Sequence, residues 1–330
     1  MNQEPIMYQL IASFPSQIRE AVQIADKTNI QERKICNILI SGMGGSGIGA
    51  SIVKELTRNY SPYPIEVIKD YHVPAYCGND TLFIASSYSG DTEETLQAVN
   101  QALKKGAFVK TICSSGKLKS LSDAHHWDCI SIPEGLPPRA GLAYSLVALC
   151  HILMAFGAIP DLRNSLINAA DELDKKQQDI KTQALQIARK IAGKPTAIYS
   201  VCGFAGVAVR LAQQLHENAK QHAWVNSFPE LNHNELVSWN LEAKQLAVIV
   251  IRAENSYERT LHRVRYSEKI IQPLSGSYTE LLAEGDSELI QALYVIHLGD
   301  FISWYASVEN QVDAMDIRVI ESLKKSLESI

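Results

Sequence analysis

Short apolar runs alternate along this chain with longer stretches whose apolar residues recur every three or four positions. That is the pattern of strands followed by crossover helices, and it predicts parallel sheets. Cys36–Ser41, Ile65–Lys69, Thr81–Ser86, Ala107–Cys113 and Asp128–Ile132 read as strands. A glycine-rich loop follows the first, with a helix from about Ser46. Asp91 opens another helix, with Asp91 and Glu94 in capping-box spacing. After the pair Pro137–Pro138, the segment from Gly141 to Ile159 contains no Asp, Glu, Lys or Arg. It approaches the roughly 20-residue span of a bilayer helix. Tyr144, Ser145 and His151 interrupt it, and no second span accompanies it, so it reads as a buried central helix.

The second half repeats this grammar. Asn164 to Ile191 is polar, favours helix, has no internal Gly or Pro, and reads as an arm joining two domains. At Thr196 a strand, TAIYSVCG, leads to Gly203 and then to the helical VAVRLAQQLHENAK. SGMGGSGIGASIVKEL and VCGFAGVAVRLAQQLH share one order of strand end, glycine turn and amphipathic helix. The expectation is an α/β protein of two similar domains, residues 1–160 and 161–330, each a mainly parallel sheet flanked by helices. Gln245–Ile251 is the clearest later strand, and helices are expected over much of Ser287–Ile330.

Length and charge narrow the picture. At 330 residues the chain suits two domains, and each half can bury its own core without disulfides or a structural metal. With 46% hydrophobic and 20% charged residues it is neither disordered nor fibrous. Thirty-one basic against thirty-six acidic side chains, a net charge of −5, argues against non-specific nucleic-acid binding while leaving room for a local anion site. The six cysteines form no C-x-x-C pair and read as small buried apolar residues in a reducing compartment. Met1 to Leu10 carries no basic-then-apolar leader pattern, so the cytoplasm is the expected location.

Two loops carry candidate chemistry. Gly42-Met43-Gly44-Gly45-Ser46-Gly47 lies between a strand and a helix, where glycines admit an anion close to free helix N–H groups. It also satisfies G-x-G-x-x-G, and Asp70 stands near the end of the next strand where a ribose-binding acid belongs, so a dinucleotide reading is open. Ser86-Ser87-Tyr88-Ser89-Gly90-Asp91-Thr92 also joins a strand to a helix, and offers the hydroxyls of Ser87, Ser89 and Thr92. Either loop alone reads as an ordinary turn. As a pair at the carboxyl ends of neighbouring strands, they suit a phosphate held by hydroxyls and backbone amides without Lys or Arg.

The motifs SGMGGSG, SSYSGDTEETL, PPRAGLAYS, QLHENAK and FPELNHNELVSW resemble the two sugar isomerase (SIS) domains of bifunctional phosphoglucose/phosphomannose isomerases, over nearly the whole chain. The resemblance implies an aldose–ketose isomerase interconverting glucose 6-phosphate, or mannose 6-phosphate, with fructose 6-phosphate. It implies that Gly45, Ser46, Gly47, Ser87, Ser89 and Thr92 hold the substrate phosphate. It makes Arg139 the group beside the reacting carbons, Glu217 the catalytic base and His233 an aid to ring opening. It further implies a homodimer in which His233 comes from the neighbouring subunit. In relatives Asp-Pro-Thr-Pro precedes a final helix carrying a lysine that aids ring opening. Here the stretch reads Asp313-Ala314-Met315-Asp316, with Lys324 at the expected offset and Lys325 beside it. The family threonine is linked to handling both C2 epimers. Met315 takes its place, so the glucose 6-phosphate reaction is expected to be less affected than the mannose one.

The residue types suit that chemistry. One carboxylate can move a proton between adjacent carbons through an enediolate, a guanidinium can stabilise the charge that develops, and a histidine can shuttle a proton at the ring oxygen. No metal or redox cofactor is needed, and neither a nucleic acid nor a membrane is an expected partner. Two rival readings remain: a non-catalytic SIS module that senses a sugar phosphate, and a nucleotide-dependent oxidoreductase using Gly42, Gly44 and Gly47. His125-His126 with Cys129 lacks a fourth metal ligand, and the basic run Arg259, His262, Arg263, Arg265 reads as a solvated helix face.

Overall fold

The computed structural model describes residues 5–327. The chain divides into two compact units. The first comprises Ala12–Lys175 with Asp286–Ile290, and the second comprises the residues up to Ile11, Lys176–Gly285 and the chain from Gln291 on.

Helices α1 (Ile6–Ala12) and α2 (Phe14–Asp26) come first, and all but the last residue of α1 belongs to the second unit. The chain then runs through β1 (Asn37–Ser41), α3 (Gly44–Thr57), β2 (Ile65–Ile68), β3 (Thr81–Ser86), α4 (Glu93–Lys104), β4 (Phe108–Cys113), α5 (Gly116–His125), β5 (Cys129–Ser131), α6 (Leu142–Ala155) and α7 (Arg163–Ile191). The five strands form one parallel sheet in the order β2-β1-β3-β4-β5. Its central strands are buried almost throughout, β3 at every position, because helices cover both faces of a parallel sheet. The strand order reverses between β1 and β3, and the loops following these two strands open at this switch point.

Three local expectations are corrected. Helix α3 begins at Gly44, two residues ahead of Ser46, with the extended Met43 as its N-cap. Helix α4 begins after Thr92, and Asp91 does not cap it: the Asp91 carboxylate accepts instead from the Lys117 backbone N–H at 2.9 Å, at the start of α5. The cysteines are not uniformly buried, since Cys36 and Cys202 are exposed and Cys129 is partly so. Cys113 and Cys129 lie on neighbouring strands with sulfurs 3.7 Å apart, an arrangement that holds the Cys113 thiol well above its ordinary pKa and lowers that of Cys129.

Helix α6 is the apolar segment, and it is buried along nearly all its length. Its 14 residues span about 21 Å, short of a bilayer core of about 30 Å. No described helix is long and apolar enough to cross a membrane. Helix α7 is continuous over 29 residues, as its lack of Gly and Pro predicts.

The second unit contains β6 (Thr196–Ser200), α8 (Ala205–Ala219), β7 (Ala223–Ser227), β8 (Ala243–Arg252), α9 (Glu258–Ile271), β9 (Ser275–Leu282), most of α10 (Glu288–Glu309) and α11 (Arg318–Leu327). Its sheet is parallel, in the order β7-β6-β8-β9. Counted within its own unit this is 2-1-3-4, the order of the first four strands of the other sheet, so the repeated grammar reflects a repeated fold. A buried polar network joins α8 to α10. Arg210 donates to both oxygens of Asp300 at 3.1 and 2.6 Å, Gln214 donates to Asp300 at 2.9 Å, and Asn218 donates to Ser303 at 2.9 Å.

Candidate functional site

In the first unit the two glycine- and serine-rich loops meet at the switch point. The Tyr88 backbone N–H donates to Ser46 Oγ at 3.2 Å, which ties the loop after β3 directly to the first turn of α3. Within the second loop, Ser87 Oγ and Thr92 Oγ1 are 2.8 Å apart, and Gly90 N–H donates to Ser87 Oγ at 3.1 Å. Asp91 N–H donates to Ser89 Oγ at 3.2 Å. Three hydroxyls are therefore held beside the start of α4, where backbone donors and the helix dipole favour an anion.

Two glycines are required by close approach. A Cβ on Gly45 would stand 2.6 Å from the Pro138 carbonyl oxygen, and one on Gly47 would collide with the carbonyl of Gly42. The first contact brings the Pro137–Arg139 turn over the glycine loop. Tyr88 fixes the same turn from the other loop, its hydroxyl donating to Pro133 O at 2.8 Å and accepting from Leu136 N–H at 2.9 Å. Arg139 is only 4% exposed. Gly45, Ser46, Gly47, Ser87, Ser89, Thr92 and Arg139 are thus gathered at one end of one sheet. Tyr88, which the sequence reading passed over, is the residue that joins the three segments.

This geometry gives a direct expectation for Ser87→Ala. The change removes a hydroxyl that touches Thr92 and Gly90 while leaving the buried strand end intact. Inorganic phosphate should bind about tenfold more weakly, measured by calorimetry, with little change in melting temperature.

The remaining candidates lie in the second unit. Glu217 occupies the last turn of α8 and is partly exposed. Lys220, in the left-handed conformation that ends this helix, donates through Nζ to Glu217 O and to Asp313 O, each at 2.6 Å. The segment holding Met315 is thereby anchored at the end of the Glu217 helix. Met315 is 37% exposed, and Lys324 lies on the exposed helix α11.

His233 closes a short 3-10 turn and is exposed. Two residues later, Glu235 receives three donors: Tyr199 OH at 2.6 Å, Trp224 Nε1 at 2.8 Å and Asn226 Nδ2 at 2.7 Å. Burial and this carboxylate together push the Tyr199 phenol well above its ordinary pKa. Glu235 pins the His233 turn to β6 and β7. The sequence reading missed that role, although Trp, Tyr and Asn near the ends of two short strands were its available signal.

The other candidates have local surroundings of their own. Among the described residues no cluster of three His, Cys, Asp or Glu could hold a metal, and His125 stacks on Trp127 with ring centroids 4.8 Å apart. The Asp70 carboxylate accepts from the adjacent Tyr71 N–H at 2.6 Å. Arg259, His262 and Arg265 are exposed on α9, a solvated face as expected, with Arg263 partly covered.

The fold and the paired loops define the class as a double-SIS-domain α/β protein. The C-terminal domain of glucosamine-fructose-6-phosphate aminotransferase from Francisella tularensis has the same fold, with a TM-score of 0.75, 17% identity, and coverage of 95% of this chain and 98% of that one. Residues 180–327 match the bacterial phospho-glucose isomerase C-terminal SIS domain. The bifunctional phosphoglucose/phosphomannose isomerase of Caldicellulosiruptor bescii is 32% identical, over 98% of this chain and 99% of its own. That of Thermoplasma acidophilum is 34% identical, over 88% and 89%. The chain belongs to the bifunctional phosphoglucose/phosphomannose isomerase family.

Proposed function

We propose that this protein interconverts glucose 6-phosphate and fructose 6-phosphate by proton transfer through an enediolate. The observation that carries the reading is the direct tie of two hydroxyl-bearing loops, Tyr88 N–H to Ser46 Oγ, beneath the turn that holds Arg139. The substrate phosphate is taken by Ser46, Gly47, Ser87, Ser89 and Thr92, with Gly45 leaving the backbone open to it. His233, supplied by the second subunit of a homodimer, moves a proton to the ring oxygen and opens the sugar. The Glu217 carboxylate then takes the proton from C2 of the open aldose and returns it to C1, while O2 loses a proton and O1 gains one. The Arg139 guanidinium faces the negative charge on these oxygens as the enediolate forms.

Helix α11 supports two finer parts of this reading. Val319, Ile320, Leu323 and Leu327 form an apolar stripe, and all four are exposed, Val319 at 86%. A stripe of that kind suits burial against a second copy of the chain. Lys324 follows Ile320 by four residues and borders the stripe, whereas Lys325 lies on the opposite side of the helix. Lys324 is therefore the lysine assigned to ring opening.

The experiment is a coupled assay of the purified protein on both epimers. Fructose 6-phosphate should form from glucose 6-phosphate, and binding of the sugar without turnover would leave a sensor rather than an enzyme. Met315 adds a prediction about selectivity. Met315→Thr should raise kcat/KM for mannose 6-phosphate by about tenfold, the scale of one side-chain contact in a pocket, and leave glucose 6-phosphate within about threefold.

A further inference from the structure

The hydroxyl loops leave the charge of a phosphate dianion to backbone dipoles, and one cation stands beside them without a role. Lys69 directly follows β2, the strand beside β1. Ser41 pairs with Ile68 in that register, and Gly42 N–H donates to Ile68 O at 3.3 Å, so Lys69 emerges at the edge where the glycine loop begins. Its side chain runs back over that loop: Cε lies 3.4 Å from the place a Cβ would take on Gly47, in the first turn of α3.

This is an unfavourable place for a lone ammonium. Among the described residues no carboxylate pairs with Lys69 and no hydrogen bond engages it, and the neighbouring Asp70 carboxylate is turned to the Tyr71 N–H. The nearest helix end is an N-terminus, whose partial positive charge repels a cation. Lys69 keeps contact with solvent, but desolvation where its side chain lies over the loop, with no compensating acid, holds its pKa below the ordinary lysine value. A lysine in a salt-bridged surface cluster shows the reverse, as Lys119 does beside Asp123. An anion at the first turn of α3 would relieve both the repulsion and the missing partner.

We infer that Lys69 is a substrate-binding residue, which closes its ammonium on the phosphate held by the Ser46 and Ser87 loops. The inference rests on the phosphate-site reading above and adds a cation to a site otherwise made of hydroxyls and amides. Lys69 works as a point charge in binding and takes no part in the proton transfer, so its removal separates KM from kcat.

The test is Lys69→Met, which keeps the length of the side chain and removes the charge, compared with Ser46→Ala and wild type. Inorganic phosphate affinity is read by calorimetry and glucose 6-phosphate kinetics by the coupled assay. Lys69→Met should weaken phosphate binding and raise KM by about 10- to 100-fold, the loss expected for one charge-assisted contact. It should change kcat by less than about threefold, because uniform binding is what is lost. Lys69→Arg, which keeps the charge, should recover most of the affinity. In wild type, phosphate affinity should fall as pH rises through the lowered Lys69 pKa, because the neutral amine no longer attracts the anion; the Met variant should be flat in that window. Unchanged phosphate affinity and KM in Lys69→Met, alongside a weakened Ser46→Ala, would overturn the assignment and leave the isomerase reading intact. Weaker phosphate binding in Lys69→Met, with no isomerase activity in any form of the protein, would keep Lys69 and remove the proposed reaction.

Discussion

Glu217→Gln is expected to isomerise glucose 6-phosphate about 10²- to 10⁴-fold more slowly than wild type, the range supplied by one positioned acid–base group. The amide has nearly the shape of the carboxylate but cannot accept the C2 proton. One anchor of this part of α8 runs through the backbone, where Lys220 Nζ reaches the Glu217 backbone oxygen and the Asp313 oxygen, and the isosteric amide leaves it in place. Melting temperature and inorganic phosphate affinity should therefore match wild type. Steady-state kinetics together with calorimetry separate the two contributions. A Glu217→Gln protein with near-normal turnover would take the base role from this residue.

The second large effect is on stability. Arg210 and Asp300 are both almost fully buried, and their bidentate pair is completed by Gln214. Arg210→Met leaves the Asp300 carboxylate buried without its countercharge, a loss of roughly 3–5 kcal/mol and on the order of 10 °C in melting temperature. Burial already raises the Asp300 pKa above the ordinary value, against the opposing pull of Arg210 and Gln214. A raised acid pKa means that the folded state holds its proton over a window where the unfolded state has released it. Stability therefore falls as pH rises from the unfolded pKa through the folded one. Without Arg210 the folded pKa rises further and the window widens. The deficit of Arg210→Met should be largest near neutrality and shrink toward pH 4, measured by thermal unfolding across pH. The double change Arg210→Met with Asp300→Leu should recover most of the loss, because no charge is then stranded.

The edge strands β2 and β5 were legible too, but the clearest strands in the sequence are those with continuous apolar runs. Thr81–Ser86 matches at both ends because every position of β3 is buried. Strands β7 and β9 were not legible: they are the edges of their sheet, and their mixed burial leaves no apolar run to read. The start of α3 was hidden for a different reason. Gly44 and Gly45 have poor helix propensity, and the close approach of Pro138 O to Gly45, which needs a residue without a side chain, exists only in the folded chain. Helix α2 was readable and overlooked, with Phe14, Ile18, Ala21, Val22 and Ala25 on one buried face.

The site divides in the same way. Ser46, Ser87, Ser89 and Thr92 sit in short motifs whose spacing around a strand and a helix can be read directly. Tyr88, Glu235 and Lys69 gain their meaning from partners brought in by the fold: Leu136 N–H and Pro133 O for the first, Tyr199, Trp224 and Asn226 for the second, the first turn of α3 for the third. No local pattern marks Tyr88 or Lys69, and for Glu235 the only signal is its partner residues on β6 and β7. Lys69 also changes the electrostatic reading of the chain, since a site that the sequence assigns to hydroxyls and amides alone acquires a cation.

Proton transfer between adjacent carbons of a hexose 6-phosphate is read out by following glucose 6-phosphate in D2O by NMR with the purified protein. Fructose 6-phosphate should appear, and solvent deuterium should enter at the carbon to which Glu217 returns the proton, with both signals lost in Glu217→Gln. Glucose 6-phosphate that binds the protein and yields neither fructose 6-phosphate nor deuterium exchange would contradict it.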